Sequence, residues 1–331
     1  MTAEPQRSKR HAPPAAGSAA ADGTRVTLLG PQRLQPSLRP ALDALGAHGP
    51  VATITAGWQE RESDDHELHE HLDRRSINLG LYQRAERAFS RDPELTAAHH
   101  LRQSRLRELQ DLYNIRLNHA MATAYELLRR AGESELLREA RAAAIDTIRD
   151  IDARHLERVA ALHAEYEERW RPAERDAISR ERREIDAILR DTAAVAIAGG
   201  HVAILLNRLR LFGFESLLRG RTIAAWSAGA MAISDRVVLF HDQPAHGMGN
   251  AEVLEAGLRL APGIVPLPHA RRRLNLDDHA RVGLFAARFA PSLCVPMNEG
   301  AHLGTSSAGW DSGPEMQRLL PDGRVVELER T

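Results

Sequence analysis

Between about residues 80 and 190 the chain has almost no strand-like run, and Gly132 is the one glycine between Gly80 and Gly199. Short β-branched runs lie on both sides of that stretch. Ahead of it, runs at 25–30 and 51–57 each end in glycine, and the segment between them places Leu38, Leu42 and Leu45 at helical spacing before Gly46. This is a βαβ pattern, which favours a parallel sheet. Beyond it, a run at 194–198 leads into Gly199-Gly200 and a run at 222–226 leads into Ser227. Further runs at 236–240, 263–267, 292–296 and 324–328 complete the set. Strands on both sides of a helical excursion predict an α/β fold, a mostly parallel open sheet carrying a large helical-hairpin insertion. The expected organisation is a disordered tail at 1–24, a first part of the α/β domain at 25–79, the insertion at 80–190, and a second part at 191–331 that carries the site.

The insertion announces its helices by their ends. Asp92-Pro93 pairs an N-cap residue with proline at the first helical position, and Leu106, Leu109, Tyr113, Leu117, Met121, Ala124 and Leu128 then recur at helical spacing. Gly132 and Ser134 read as a stop and a new cap. A second stripe follows, with Ile148, Ile151, Val159, Leu162, Tyr166 and Trp170, interrupted by His155. Pro172 closes it, and a third helix runs to about Leu189. Two helices can hide only one stripe from each against the other. Further cover must come from the α/β body or from a second copy, and a homodimer in which the insertion supplies much of the contact is the expectation.

Composition excludes several function classes. The 45 acids and 44 bases nearly cancel, leaving no basic footprint for nucleic acid. Lys9 is the only lysine, which reads as codon bias rather than phosphate binding. Cys294 is the one cysteine, so neither an internal disulfide nor a cysteine-based zinc site can form. No run of about 18 apolar residues is present to cross a bilayer. The basic, Ala/Pro-rich start lacks the apolar core of a secretory signal, so a cytoplasmic protein with no membrane partner is expected.

Ser227 stands where a strand-like run meets a helix-like one, among the small residues Ala225, Ala228, Gly229 and Ala230. A nucleophile elbow needs this: a sharp turn that holds the serine at its crest while backbone passes close by. Ala225 replaces the first glycine of G-x-S-x-G, and strand-to-helix turns are rich in small residues anyway. Gly199-Gly200 ends the preceding run, and its backbone amides could join that of Ala228 in an oxyanion hole, although alone it reads as an ordinary tight turn. His269 follows the 263–267 run and is the candidate base. Glu299, after the 292–296 run, is the candidate acid to orient it, with Asp242 and Asp235 as rivals.

Taken in order, Ala198-Gly199-Gly200, Leu205-Leu206, Trp226 to Ala230, Leu260 to Gly263 with Pro268-His269, and Asn298-Glu299-Gly300 resemble the dipeptidase E and cyanophycinase group of serine peptidases. The resemblance spans roughly residues 194–303, with fainter agreement at the first two strands. It implies a class I glutamine amidotransferase-like fold with Ser227 as nucleophile, His269 as base, and Gly200 and Ala228 as oxyanion donors. Glu299 completes the triad in the cyanophycinase-like branch; the dipeptidase-like branch favours Asp242. Two positions depart from the group: His201 where asparagine is frequent, and Asn298 where aspartate usually precedes the glutamate. The insertion has no counterpart in the compact dipeptidases.

Arg271, Arg272 and Arg273, just after His269, could hold a substrate carboxylate or form a solvated loop, and Arg271 and Arg272 with His201 are the candidate substrate contacts. The run from Asp64 to His71 concentrates potential metal ligands but does not match H-E-x-x-H, and a solvated acidic turn explains it better. Cys294 lies inside a strand-like run, which argues against a cysteine glutaminase. The expected function is hydrolysis of a small peptide or amide, an acidic peptide being one candidate, without metal or organic cofactor. The alternative from another class is a catalytically silent ligand-binding or scaffold protein whose insertion mediates association.

Overall fold

The computed structural model describes residues 23–241, 249–306 and 309–328. Residues 1–22 of the expected tail, and Asp242, lie outside the described residues. A seven-stranded sheet forms the centre, in the order Gly309–Ser312, His302–Ser306, Arg25–Leu29, Thr222–Trp226, Ala194–Ile197, Val51–Ile54 and Ser76–Asn78. The last five run parallel, and His302–Ser306 and Gly309–Ser312 add antiparallel strands at one edge. Register pairs Leu28 with Ala225 and Ala225 with Ile197. The central strands Thr222–Trp226 and Ala194–Ile197 are buried throughout, as parallel strands covered on both faces must be.

Not every expected strand joins this sheet. Arg236–Leu239 pairs with Glu252–Ala256 in an antiparallel ribbon, and Gln317–Leu319 pairs with Val325–Glu327. Ile264–Pro268 and Leu293–Met297 form a separate parallel pair. Pro266, Pro268 and Pro296 lack the N–H that a longer ladder would need, which confines this pair to two strands.

The insertion follows Ser76–Asn78 and returns the chain to Ala194–Ile197. Its helices are Leu81–Arg91, Pro93–Arg129, Glu135–Trp170 and Asp176–Arg190. The Asp92 side chain accepts from the Leu95 N–H at 3.0 Å, and that of Ser134 from the Leu137 N–H at 3.2 Å, so both caps form where the sequence places them. At 1.5 Å per residue the longer helix spans about 55 Å.

The apolar stripes are covered by the α/β body. Tyr113, Leu117, Met121, Ile148 and Ile151 share a cluster with Val238, Val253, Val265 and Leu267, and Tyr166 reaches the central core. A buried polar knot locks this docking. Arg288 makes two bonds to Asp152, at 2.6 and 2.7 Å, and donates to the Tyr113 hydroxyl at 2.8 Å. Tyr113 donates to Asp152 at 2.8 Å and accepts from the Val253 N–H at 3.0 Å. His155, which breaks the sequence stripe, stacks on Tyr113 with ring centroids 4.2 Å apart and bonds the Leu254 carbonyl through Nε2. Leu101, Leu112 and Ile115 remain exposed on the outer side. Among the described residues, no helix is long and apolar enough to cross a membrane.

Candidate active site

Parallel strands deliver their C-terminal turns to one edge of the sheet, where open α/β folds place their ligands. Ser227 sits there, between Thr222–Trp226 and the short helix Ala228–Ile233. Its backbone has φ 51° and ψ −121°, a left-handed conformation rare for a residue with a side chain. Close packing enforces the turn. A Cβ added at Gly229 would lie 2.2 Å from the Ile197 carbonyl oxygen, so only glycine fits there.

The Gly199-Gly200 turn abuts this elbow. A Cβ added at Gly199 would lie 2.8 Å from the Ser227 Cβ, 3.5 Å from its Oγ and 3.6 Å from the Ala228 nitrogen. Gly200 has φ 111°, and a Cβ there would meet the Gly57 carbonyl oxygen at 2.4 Å. The expected oxyanion residues are therefore packed around the serine, and Ala228 heads a helix whose first amides have no intrahelical acceptor. Gly57, assigned by the sequence only to a strand end, is the third glycine that permits this packing.

His269 closes the Ile264–Pro268 strand in a left-handed conformation, φ 58°, with its N–H donating to the Met297 carbonyl at 3.0 Å. Its Nδ1 is buried and has no hydrogen-bond partner among the described residues. Burial pulls the imidazole pKa below the ordinary histidine value; Arg273 and Arg272 push the same way, and Glu299 pulls it back up. The ring is thus kept neutral near pH 7, the state a general base requires.

Ser227, Ala228, Gly199, Gly200, Trp226 and His269 line one cavity of about 890 Å³. Trp58, Asp64, Glu67, His71, Glu252 and Arg273 form further parts of its wall. That volume is at the upper end for small-ligand sites. The Asp64–His71 run therefore reaches the cavity in part, while His69 bonds Ser76 and Glu70 pairs with Arg74.

Other candidates fall elsewhere. Arg271 and Arg272 are exposed and do not line the cavity; Arg273 does, because one turn of helix at Ala270–Arg273 swings the third arginine inward. The His201 side chain is exposed and caps the helix Val202–Leu211, its Nδ1 accepting from the Ile204 N–H at 3.3 Å. Glu299 is close enough to influence His269, but no hydrogen bond joins them among the described residues. Asp235 accepts from the Gly263 N–H at 2.8 Å, a structural task. Asn298 accepts from the Arg271 N–H at 3.0 Å, so its amide oxygen braces the turn after His269. Cys294 is buried, with its thiol pushed up to about 12 by desolvation, far from a reactive thiolate.

No protein-family model matches the chain, and no curated protein does so. Among solved structures it is similar to a peptidase from an acI-B1 Actinobacterium, at 13% identity and a TM-score of 0.43, over 92% of this chain and 97% of that one. It is also similar to a protein of Listeria monocytogenes EGD-e described as a "Putative Peptidase E Protein", at 18% identity and a TM-score of 0.27, over 44% of this chain and 65% of that one.

Proposed function

We propose that the chain is a serine hydrolase that cleaves a small peptide or amide through an acyl-enzyme, in the manner of the dipeptidase E and cyanophycinase group. One observation carries the reading: Ser227 stands on a left-handed strand-to-helix turn, packed against Gly199-Gly200, in a cavity it shares with a half-buried His269. In this reaction Ser227 Oγ attacks the scissile carbonyl carbon as His269 takes its proton. Backbone N–H groups of the Gly199-Gly200 turn and of Ala228 bear the oxyanion. The tetrahedral intermediate collapses, His269 returns the proton to the leaving amine, and water hydrolyses the ester by the same route. Glu299 is assigned to the Nδ1 side of the imidazole, with Asp242 as the rival. Of the three arginines after His269, Arg273 is the one assigned to the substrate carboxylate, because it alone lines the cavity.

Among the described residues the His269 Nδ1 has no partner, which favours a second reading, a silent member of the fold that binds its ligand without turning it over. Incubating short acidic dipeptides and β-linked aspartyl peptides with the wild type and Ser227→Ala separates the two. The hydrolase reading expects cleavage by the wild type and a loss of about 10⁴-fold or more in the variant. Equal cleavage by both proteins would overturn the serine mechanism, and peptide binding without cleavage would favour the silent member.

A further inference from the structure

Glu252 opens the strand Glu252–Ala256, opposite Leu239, and lines the cavity. Its Oε2 accepts from Gln110 Nε2 at 3.1 Å and from Asn114 Nδ2 at 3.0 Å. Both donors belong to the insertion helix Pro93–Arg129, four residues apart and therefore on one face. Asn118 continues that face and accepts from Asn250, another cavity residue, at 2.9 Å. Three amide side chains of the insertion thus grip the wall segment of the cavity at 250–252.

The partners are all neutral. Among the described residues no arginine or histidine pairs with Glu252, and its Oε1 has no donor. Glu255, on the same strand, differs: His163 reaches it at 2.9 Å and Arg210 at 3.5 Å. The other acids of the wall are also placed differently, since Asp64 pairs with Arg61 at 3.0 Å and Glu67 is exposed. Two amides that fix one oxygen immobilise a carboxylate without neutralising it. A partly buried, fixed anion gains most from a cation that supplies charge-assisted hydrogen bonds. Arg273, also without an anionic partner among the described residues, gives the same cavity a positive counterpart beside His269.

We propose that Glu252 is a cation subsite of this cavity, held in place by Gln110 and Asn114 of the insertion, so that the substrate carries a protonated nitrogen. The proposal deepens the hydrolase reading and rests on it for the word substrate. It gives the insertion a task at the site: Gln110 and Asn114 are positioning residues that act through Glu252.

The test measures calorimetric binding to Ser227→Ala, which needs no turnover. The probes are Ala-Lys, Ala-norleucine and the N-acetylated form of each. Comparing lysine with norleucine reads a side-chain cation, and comparing free with acetylated peptides reads the terminal ammonium. The expected result is a preference of about 10-fold or more for the cationic member of one comparison, abolished by Glu252→Gln. Replacing Gln110 and Asn114 by leucine together should lower the same cationic preference, with no additional loss when Glu252→Gln is already present. A purely structural role would not move that ratio. No preference for either cation, or a preference that survives Glu252→Gln, would overturn the proposal. Ser227 labelling by a fluorophosphonate in the wild type keeps the two claims apart. Labelling without cation preference removes only the subsite, and cation preference without labelling removes only the hydrolase reading.

Discussion

Two polar centres of this molecule use the same residue types to opposite ends. In the knot between the insertion and the α/β body, Arg288, Asp152 and Tyr113 satisfy one another, and the remaining contacts go to Val253 and Ala251. In the cavity, His269 Nδ1, Arg273 and Oε1 of Glu252 have no partner among the described residues. Buried polar groups are nearly always paired, and a closed network specifies how two elements dock. Open groups gathered on a concave wall mark the place where a ligand completes the pairing. The knot serves attachment, and in the proposed function the cavity serves ligand exchange.

The largest effect should come from opening the knot. Asp152→Ala strands the Arg288 guanidinium, which burial alone would push toward neutrality and which Asp152 holds firmly charged. Urea unfolding should show a loss of about 3–5 kcal/mol. The double variant Asp152→Leu with Arg288→Met should recover much of it, because no unpaired charge then remains. A loss under about 1 kcal/mol for Asp152→Ala would break the contrast between the two centres.

At the cavity the corresponding change should affect rate rather than stability. Glu299→Gln is expected to lower kcat/KM by about 10²-fold, with thermal unfolding unchanged. Asp242→Asn should have little effect. The reverse ranking would assign Asp242 to the imidazole.

A third histidine sharpens the comparison through pH. His99 is buried, with its Nδ1 3.1 Å from an Arg102 guanidinium nitrogen, and an arginine can only donate, so that nitrogen is unprotonated. Burial, with Arg102 and Arg208 adding to it, lowers the His99 pKa to about 3 in the fold. The unfolded chain then binds more protons below the ordinary histidine value near 6.5, so stability falls as pH drops from there toward 3. Relative to His99→Leu, the wild type should lose about 2 kcal/mol between pH 8 and pH 5. Parallel pH profiles for the two proteins would contradict this.

The smallest effect concerns association. Leu101, Leu112 and Ile115 stay exposed on the insertion, and a homodimer through that face is our proposal for them. Sedimentation at micromolar concentration should detect a dimer that Leu112→Glu weakens. A monomer would limit the insertion to its contacts with its own α/β body.

What the sequence disclosed follows the range of the forces involved. The caps at Asp92 and Ser134, the break at Gly132 and the strand-to-helix turn at Ser227 are local, set by residues within a turn of one another, and each forms where the pattern places it. The strands Ser76–Asn78, His302–Ser306 and Gly309–Ser312 went unread because they are short and partly polar, and their pairing is long-range. A buried apolar run also looks the same in the main sheet and in the satellite pair of Ile264–Pro268 with Leu293–Met297, so the partner could not be read from it. The three arginines after His269 are alike in sequence, and only the turn of helix that carries them selects Arg273. Glu252 carried no signal at all, since its donors lie about 140 residues earlier in the chain.

The central claim is that Ser227 is a nucleophile activated by His269. Incubation with a fluorophosphonate, followed by peptide mapping, tests it without knowledge of the substrate. The account predicts a single adduct on Ser227 and slower labelling in His269→Ala. It also predicts a labelling rate that, as pH falls, declines only below the ordinary histidine value, because the fold lowers the His269 pKa. An unlabelled Ser227, or an adduct that forms equally fast without His269, would contradict the account.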